Sequence, residues 1–258
     1  MNTLFNFLVI FFLICGNSLG GTIDPNVADE KYIEYGRKHK CVVELSGVDK
    51  DSGKTFFASA VVIKPKIILT AAHILSEAVN KKSFIVVDKD TKINVIASIY
   101  PAEYKKDTFA MKDIAIGLLE KETTLDFYPE LYDKDDEVGK ICSISGIGIT
   151  GNHKDGTSKH DGHKRAGSNI VDEIFKELLI CSLNQGTKTS LEFLIANGDS
   201  GGGLFIDKKL AGINSCVMAD DGSLNSNYRD WSGHTRVSIH KSWIDEIVAI
   251  LENLESEK

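Results

Sequence analysis

The chain is 258 residues long, with a formal net charge of −7 and a pI near 5.5. A hydrophobic content of 42% and a charged content of 26% are those of a soluble globular protein, and the length suits one large domain or two small ones. The acidic balance offers no broad basic face, which excludes nucleic acid as a general partner, and four prolines without a biased tract exclude a long disordered region.

Met1 to Gly20 carry no charged side chain, and their apolar stretch from Leu4 to Ile14 is too short to span a bilayer comfortably. Ser18-Leu19-Gly20 has the small-x-small pattern read by signal peptidase, although the usual basic n-region is missing. The expectation is a cleaved signal peptide over 1–20 and a secreted protein, extracellular or periplasmic, with no stable membrane association after cleavage. An uncleaved anchor is the alternative.

A polar lead runs from Thr22 to Lys40. Short runs rich in Val, Ile and Phe then recur between turn residues: Cys41 to Leu45, Phe56 to Ile63, Ile67 to Thr70, Phe84 to Val87, Asn94 to Tyr100 and Ile114 to Leu119. Such runs read as short strands of a sandwich or barrel, with a single helical turn opening at Ala71. A polar stretch from Glu120 to Lys140 separates a second set at Ile141 to Ile147, Leu178 to Cys181, Leu204 to Ile206, Leu210 to Cys216 and Thr235 to Ser238. Trp243, Ile244, Ile247, Val248 and Leu251 recur at helical spacing and predict a closing helix from about Ser242 to Leu254. The fold class is therefore all-β with a C-terminal α-helix.

The chemistry gathers around Asn197-Gly198-Asp199-Ser200-Gly201-Gly202-Gly203. Glycines on both sides let the backbone turn sharply around the hydroxyl and aim N–H groups into the same space, as a developing oxyanion requires. A serine hydroxyl is a weak nucleophile unless a base and an orienting group lie elsewhere. Thr70-Ala71-Ala72-His73 ends one apolar run and Asp113 opens another, so the order is His, Asp, Ser. That is one of three known chain orders for this triad. Taken singly, the glycine-rich run could be a surface turn and His73 a satisfied core histidine.

Together, T-A-A-H, D-I-A and G-D-S-G-G resemble the chymotrypsin/trypsin-like serine proteases, from about Tyr35 to the last helix. The resemblance implies two six-stranded antiparallel β-barrels closed by the C-terminal α-helix. The first barrel would span about 35–120, and the second, with its helix, about 140–258. The site would lie in the cleft between them, with His73, Asp113 and Ser200 catalytic and the N–H groups of Gly198 and Ser200 as the oxyanion hole. Ser215 would brace Asp113 and border the substrate, Leu194 would floor the primary pocket, and Val217 would form its wall. A serine endopeptidase acting on protein or peptide substrates without a cofactor is the implied function. The rival is a catalytically silent binding module of the same fold, although the triad is complete.

Other features carry milder expectations. His153, His160 and His163 with Asp155 and Asp161 fit no tight zinc spacing and read as a solvated loop. Asp133 to Glu137 lacks calcium-loop spacing and reads as a solvated linker, with Phe127, Tyr128 and Tyr132 packing it; no metal site is expected. Cys41, Cys142, Cys181 and Cys216 lack the family's pairing partners, which leaves an unbridged chain or bridges of new connectivity. No Arg-Ile-Val-Gly-Gly precedes the first strand, so Asp199 pairs either with a new α-amino group at Gly21 or a near neighbour, or with a side chain or water.

Overall fold

The computed structural model describes residues 21–256, except 80–81, 88–90, 107, 109, 160 and 184–187. The expected signal peptide and His160 lie outside the described residues. In the first half, the chain forms β1 (Thr22–Ile23), α1 (Asp29–Lys38), β2 (Val42–Val48), β3 (Thr55–Lys64), β4 (Ile67–Thr70), α2 (Ala72–Glu77), β5 (Ser83–Val87), β6 (Thr91–Ile99) and β7 (Ala115–Leu119). The second half holds β8 (Ile141–Gly146), β9 (Thr150–Asn152), β10 (Gly156–Lys159), β11 (Arg165–Ile170), β12 (Glu173–Phe175), β13 (Leu178–Ser182), β14 (Phe193–Leu194), β15 (Gly203–Ile206), β16 (Lys209–Met218), β17 (Trp231–Arg236) and α3 (Val237–Ser256).

Strands β2-β3-β4-β7-β6-β5 close into an antiparallel barrel. Closure leaves no strand edge unpaired, and Leu45, Val61, Ile68, Leu69, Ile85 and Ile116, which alternate between the two faces of its strands, are all buried. Among the described residues, the second half forms a half-barrel, a seven-stranded sheet in the order β11-β8-β15-β16-β17-β13-β12 whose end strands do not pair. Helix α3 presents Ile244, Val248 and Leu251 to a cluster shared by the first barrel and by Phe205, Leu210 and Ile213. Full burial of each such side chain is worth about 1.5–3 kcal/mol, so the helix fastens the two halves together.

A third sheet, β10-β9-β1-β14, was not legible in the sequence. Its strands are two to four residues long; β9 and β10 form a local hairpin, whereas β1 and β14 are held by pairing with segments distant in sequence. Helix α1 also departs from the expected polar lead: only Tyr32 and Gly36 are buried on it. Asp29 and Glu30 in its first turn and Arg37 and Lys38 in its last complement the helix dipole, and Asp29 binds the buried Arg165 guanidinium.

Two solvated readings need correction. Glu137 is wholly buried and accepts hydrogen bonds from Arg236 (2.9 and 2.8 Å) and Ser238 (2.8 Å). His153 is buried because β1 lies against it: its Nε2 faces the Thr22 carbonyl at 3.0 Å and its ring meets Tyr228 edge-on. Tyr132 is buried and Tyr128 half-buried in the linker, whereas Phe127 is exposed. Cys41, Cys142, Cys181 and Cys216 are free thiols, with Sγ of Cys142 and Cys181 3.9 Å apart.

Candidate active site

Strand β4 delivers His73 into the first turn of α2, and Asp113 stands immediately before β7, the strand paired with β4. Adjacent strands thus bring the two side chains together. The Asp113 carboxylate accepts the His73 backbone N–H on Oδ1 (2.9 Å) and lies 2.8 Å from His73 Nδ1 on Oδ2. Ser215 on β16 donates to the same Oδ2 at 2.6 Å, and Thr235 on β17 donates to the Asp113 carbonyl at 2.9 Å. The half-barrel therefore clamps an aspartate that belongs to the barrel.

Burial pushes the Asp113 carboxyl up, but the His73 charge and hydrogen bonds from His73 and Ser215 outweigh it and hold the group below its usual range. For His73, burial works against the charged ring, and the Asp113 carboxylate reverses that and raises it above 6.5. With Nδ1–H committed to the carboxylate, Nε2 carries the lone pair of the neutral imidazole.

Ser200 reaches the barrel through the backbone: its carbonyl accepts Ser59 N–H of β3 at 2.9 Å. The next residue, Gly201, has φ +84°, and a Cβ there would sit 2.0 Å from Thr70 Oγ1 and 2.1 Å from the Ser59 carbonyl. Only glycine lets the serine loop press this close to the strand end that leads to His73. Gly198 has φ +90°. Among the described residues, neither the Gly198 nor the Ser200 N–H donates to a protein acceptor, and the Ser200 hydroxyl holds no hydrogen bond. The neighbouring polar groups are committed: Ile149 N–H to the Asn197 carbonyl (2.7 Å), Asp199 N–H to the Ala196 carbonyl (3.0 Å) and Gly202 N–H to the Asp199 carbonyl (2.9 Å).

The Asp199 side chain turns away from the cleft into the molecule. It is fully buried, and its Oδ2 accepts N–H from Gly21 (2.7 Å) and Ala196 (2.8 Å). Among the described residues, Oδ1 has no hydrogen-bond partner. Burial raises this carboxyl to about 7, against the partial relief of the surrounding amides. Gly21 is held there by β1, which pairs antiparallel with β14 and parallel with β9; a Cβ at Gly21 would come within 1.9 Å of the Phe193 ring.

Leu194, the expected pocket floor, is buried on β14 opposite Thr22, and Ile195 beside it is also buried. Val217 is half-buried on β16 opposite Ser232. Next to Ser232 lies a polar chain that sequence reasoning missed: Ser232 Oγ meets His234 Nε2 at 2.9 Å, and His234 Nδ1 meets Asn214 Oδ1 at 2.9 Å. Desolvation lowers His234 to about 3, so its ring is neutral. The signal available was the alternation of polar residues in Ser232-Gly233-His234-Thr235, which looks like a solvated strand face until the sheet covers it.

A closed barrel joined to a half-barrel, with histidine and aspartate on one and the serine loop on the other, is the architecture of chymotrypsin-like serine proteases. A family model described as Trypsin matches residues 34–244, and the chain belongs to that family. Solved structures share the fold at low identity. Hl collagenase superposes with a TM-score of 0.65 at 18% identity, covering 82% of this chain and 94% of that one. Neuropsin, a serine protease expressed in the limbic system of mouse brain, gives 0.64 at 18% identity, covering 83% and 96%. No curated protein sequence matches the chain significantly. Among the described residues, no helix is long and apolar enough to cross a membrane.

Proposed function

We propose that this chain is a secreted serine endopeptidase that uses Ser200, His73 and Asp113. The observation that carries the reading is the two-point hold of Asp113 on His73, braced by Ser215, beside a serine loop whose two N–H groups are uncommitted. His73 Nε2 takes the Ser200 proton as Oγ forms a bond to the substrate carbonyl carbon, and the carbonyl oxygen becomes an oxyanion facing Gly198 and Ser200 N–H. When the C–N bond breaks, His73 returns the proton to the leaving amine. Water, deprotonated by the same histidine, then releases the acyl group. Buried Leu194 and Ile195 with half-buried Val217 suit small or medium uncharged residues before the cut, because Leu194 at the floor position offers a lysine or arginine no carboxylate.

The same reading covers activation. Cleavage after Gly20 would turn the Gly21 amide, already 2.7 Å from Asp199, into an ammonium group. That supplies the cation a buried carboxylate requires and holds the oxyanion loop in order. Removal of the leader is then the activating step.

The test is labelling of the mature chain with a fluorophosphonate, together with a peptide-library digest. Labelling that vanishes in Ser200→Ala, with cleavage after small or medium uncharged residues, supports the reading. A folded wild-type chain that neither labels nor cleaves would support the silent binding module instead, and a profile dominated by Arg and Lys would refute the specificity.

A further inference from the structure

Ser59 sits between two alanines in the middle of β3, wholly buried, at the seam between the two halves of the fold. Two of its polar groups make three hydrogen bonds to the serine loop and its neighbours. Its backbone N–H donates to the Ser200 carbonyl at 2.9 Å. Its hydroxyl donates to the Gly198 carbonyl at 3.0 Å and accepts the Ile147 N–H at 2.9 Å. Its own carbonyl accepts the Thr70 hydroxyl at 2.8 Å, which fixes the strand from behind.

The hydroxyl meets the loop at its turn about a residue without a side chain. Gly198 has φ +90° and no side chain, so the peptide planes on either side of it can rotate at little steric cost. The plane before it is held by Ile149 at the Asn197 carbonyl, and the plane after it by Ala196 at Asp199 N–H. The Gly198 carbonyl itself has one protein partner among the described residues, the Ser59 hydroxyl. An alanine at 59 would keep the backbone bond to Ser200 while leaving the Gly198 carbonyl and the Ile147 N–H without their partner.

We propose that Ser59 is a positioning residue for the peptidase reaction. Its hydroxyl holds the Gly198 carbonyl, and with it the Gly198–Asp199 peptide, which fixes one side of the turn at Gly198; the Asn197–Gly198 peptide on the other side then presents its N–H to the developing oxyanion, and the same hydroxyl couples this turn to the Gly146–Ile147 turn. The inference rests on the peptidase reading, because an oxyanion forms only if Ser200 attacks a carbonyl. It assigns Ser59 no contact with substrate. The effect is therefore expected in transition-state binding rather than in ground-state binding.

The experiment compares wild type, Ser59→Ala and Ser59→Thr for kcat and KM on one peptide ester. It also measures affinity for a peptide boronate, which becomes tetrahedral on Ser200, and for the matching non-cleavable peptide. Alanine is smaller than serine and continues the run Ala58-Ala60, so the variant has room to fold, and thermal unfolding checks it. For Ser59→Ala we expect kcat and boronate affinity to fall together, ~10–100-fold, with KM and non-cleavable peptide affinity within about twofold of wild type. Threonine, which keeps the hydroxyl, should recover most of the loss. Wild-type kcat in Ser59→Ala overturns the proposal, as does an equal loss of kcat, boronate binding and ground-state binding, the mark of a merely structural role. A wild type that hydrolyses nothing overturns the peptidase reading itself, whereas an active wild type with an unaffected alanine variant isolates the failure to Ser59.

Discussion

Two aspartates are buried within this site, and their surroundings are opposite. Asp113 has a histidine, a serine hydroxyl and a backbone amide on its two oxygens, and its carboxyl is held below the usual range. Among the described residues, Asp199 accepts two backbone hydrogen bonds on one oxygen and none on the other, and despite some relief from the nearby Gly148 amide its carboxyl is pushed up to about 7. Burial is the first-ranked influence on both, so the partners make the difference. The Asp113 end of the molecule is electrostatically complete while the chain still runs on through Gly21. On the proposed activation, the Asp199 end becomes so when the Gly21 ammonium supplies a cation.

The sharpest way to break the comparison is to substitute both sites with asparagine in the mature chain. Asp113→Asn should lower kcat about 10⁴-fold by inverting the His73 tautomer, with KM little changed. A loss under tenfold would mean that Asp113 does not orient the base. Blocking the N-terminus comes next. A mature chain with an acetyl group or one extra residue before Gly21 should lose roughly 10²-fold or more in kcat through a disordered oxyanion loop. Equal activity of the free and blocked forms would remove the ammonium from the mechanism.

A thermodynamic version has a smaller effect and a definite sign. In the blocked form the folded Asp199 carboxyl titrates near 7 and the unfolded one near 3.8, so the folded chain keeps a proton that the unfolded chain has already released. The contribution of Asp199 to stability is therefore fullest below about pH 4, falls as pH rises to 7 and then levels, a total of about 4 kcal/mol. Denaturant titrations across that range should show this decline as the difference between the blocked form and its Asp199→Asn variant. Parallel pH profiles for the two would show that Asp199 is better satisfied than its contacts indicate.

The smallest expected effect is at Ser215. His73 is raised above 6.5, so the acid limb of kcat/KM should have its midpoint above that value, with activity lost as pH falls through it. Ser215→Ala removes a donor that stabilises the Asp113 anion, so the carboxylate should hold the imidazolium more strongly and shift the limb upward, with kcat down less than about tenfold. An unmoved limb would confine Ser215 to packing.

How far the sequence could be read depended on whether the information was local. Strands β3, β4 and β16 announce themselves through runs such as Ile67-Ile68-Leu69, and α3 through the spacing of Ile244, Val248 and Leu251. His73, Asp113 and Ser200 stand in motifs with glycine or small residues at fixed offsets. Nothing local marks β1 or β14, two residues each, which exist because Thr22 pairs with Leu194 across the chain. Glu137 and His153 look like solvent-facing residues in polar runs; Arg236 and β1, remote in sequence, bury them. Ser59 is a lone hydroxyl between alanines whose partners lie 88 and 139 positions away, so no window along the chain contains its reason.

If the Gly21 ammonium activates the chain as proposed, the close approach of Phe193 to Gly21 also bears on the fidelity of maturation. A terminus trimmed one residue too far would begin with Thr22, which β-pairing already places beyond reach of the aspartate. A terminus left one residue long would bury a neutral amide where charge is required. Imprecise processing would then yield folded but idle molecules rather than partly active ones. A population of mixed termini would behave as a simple dilution of the correct species, with its apparent specific activity counting only the chains that begin at Gly21.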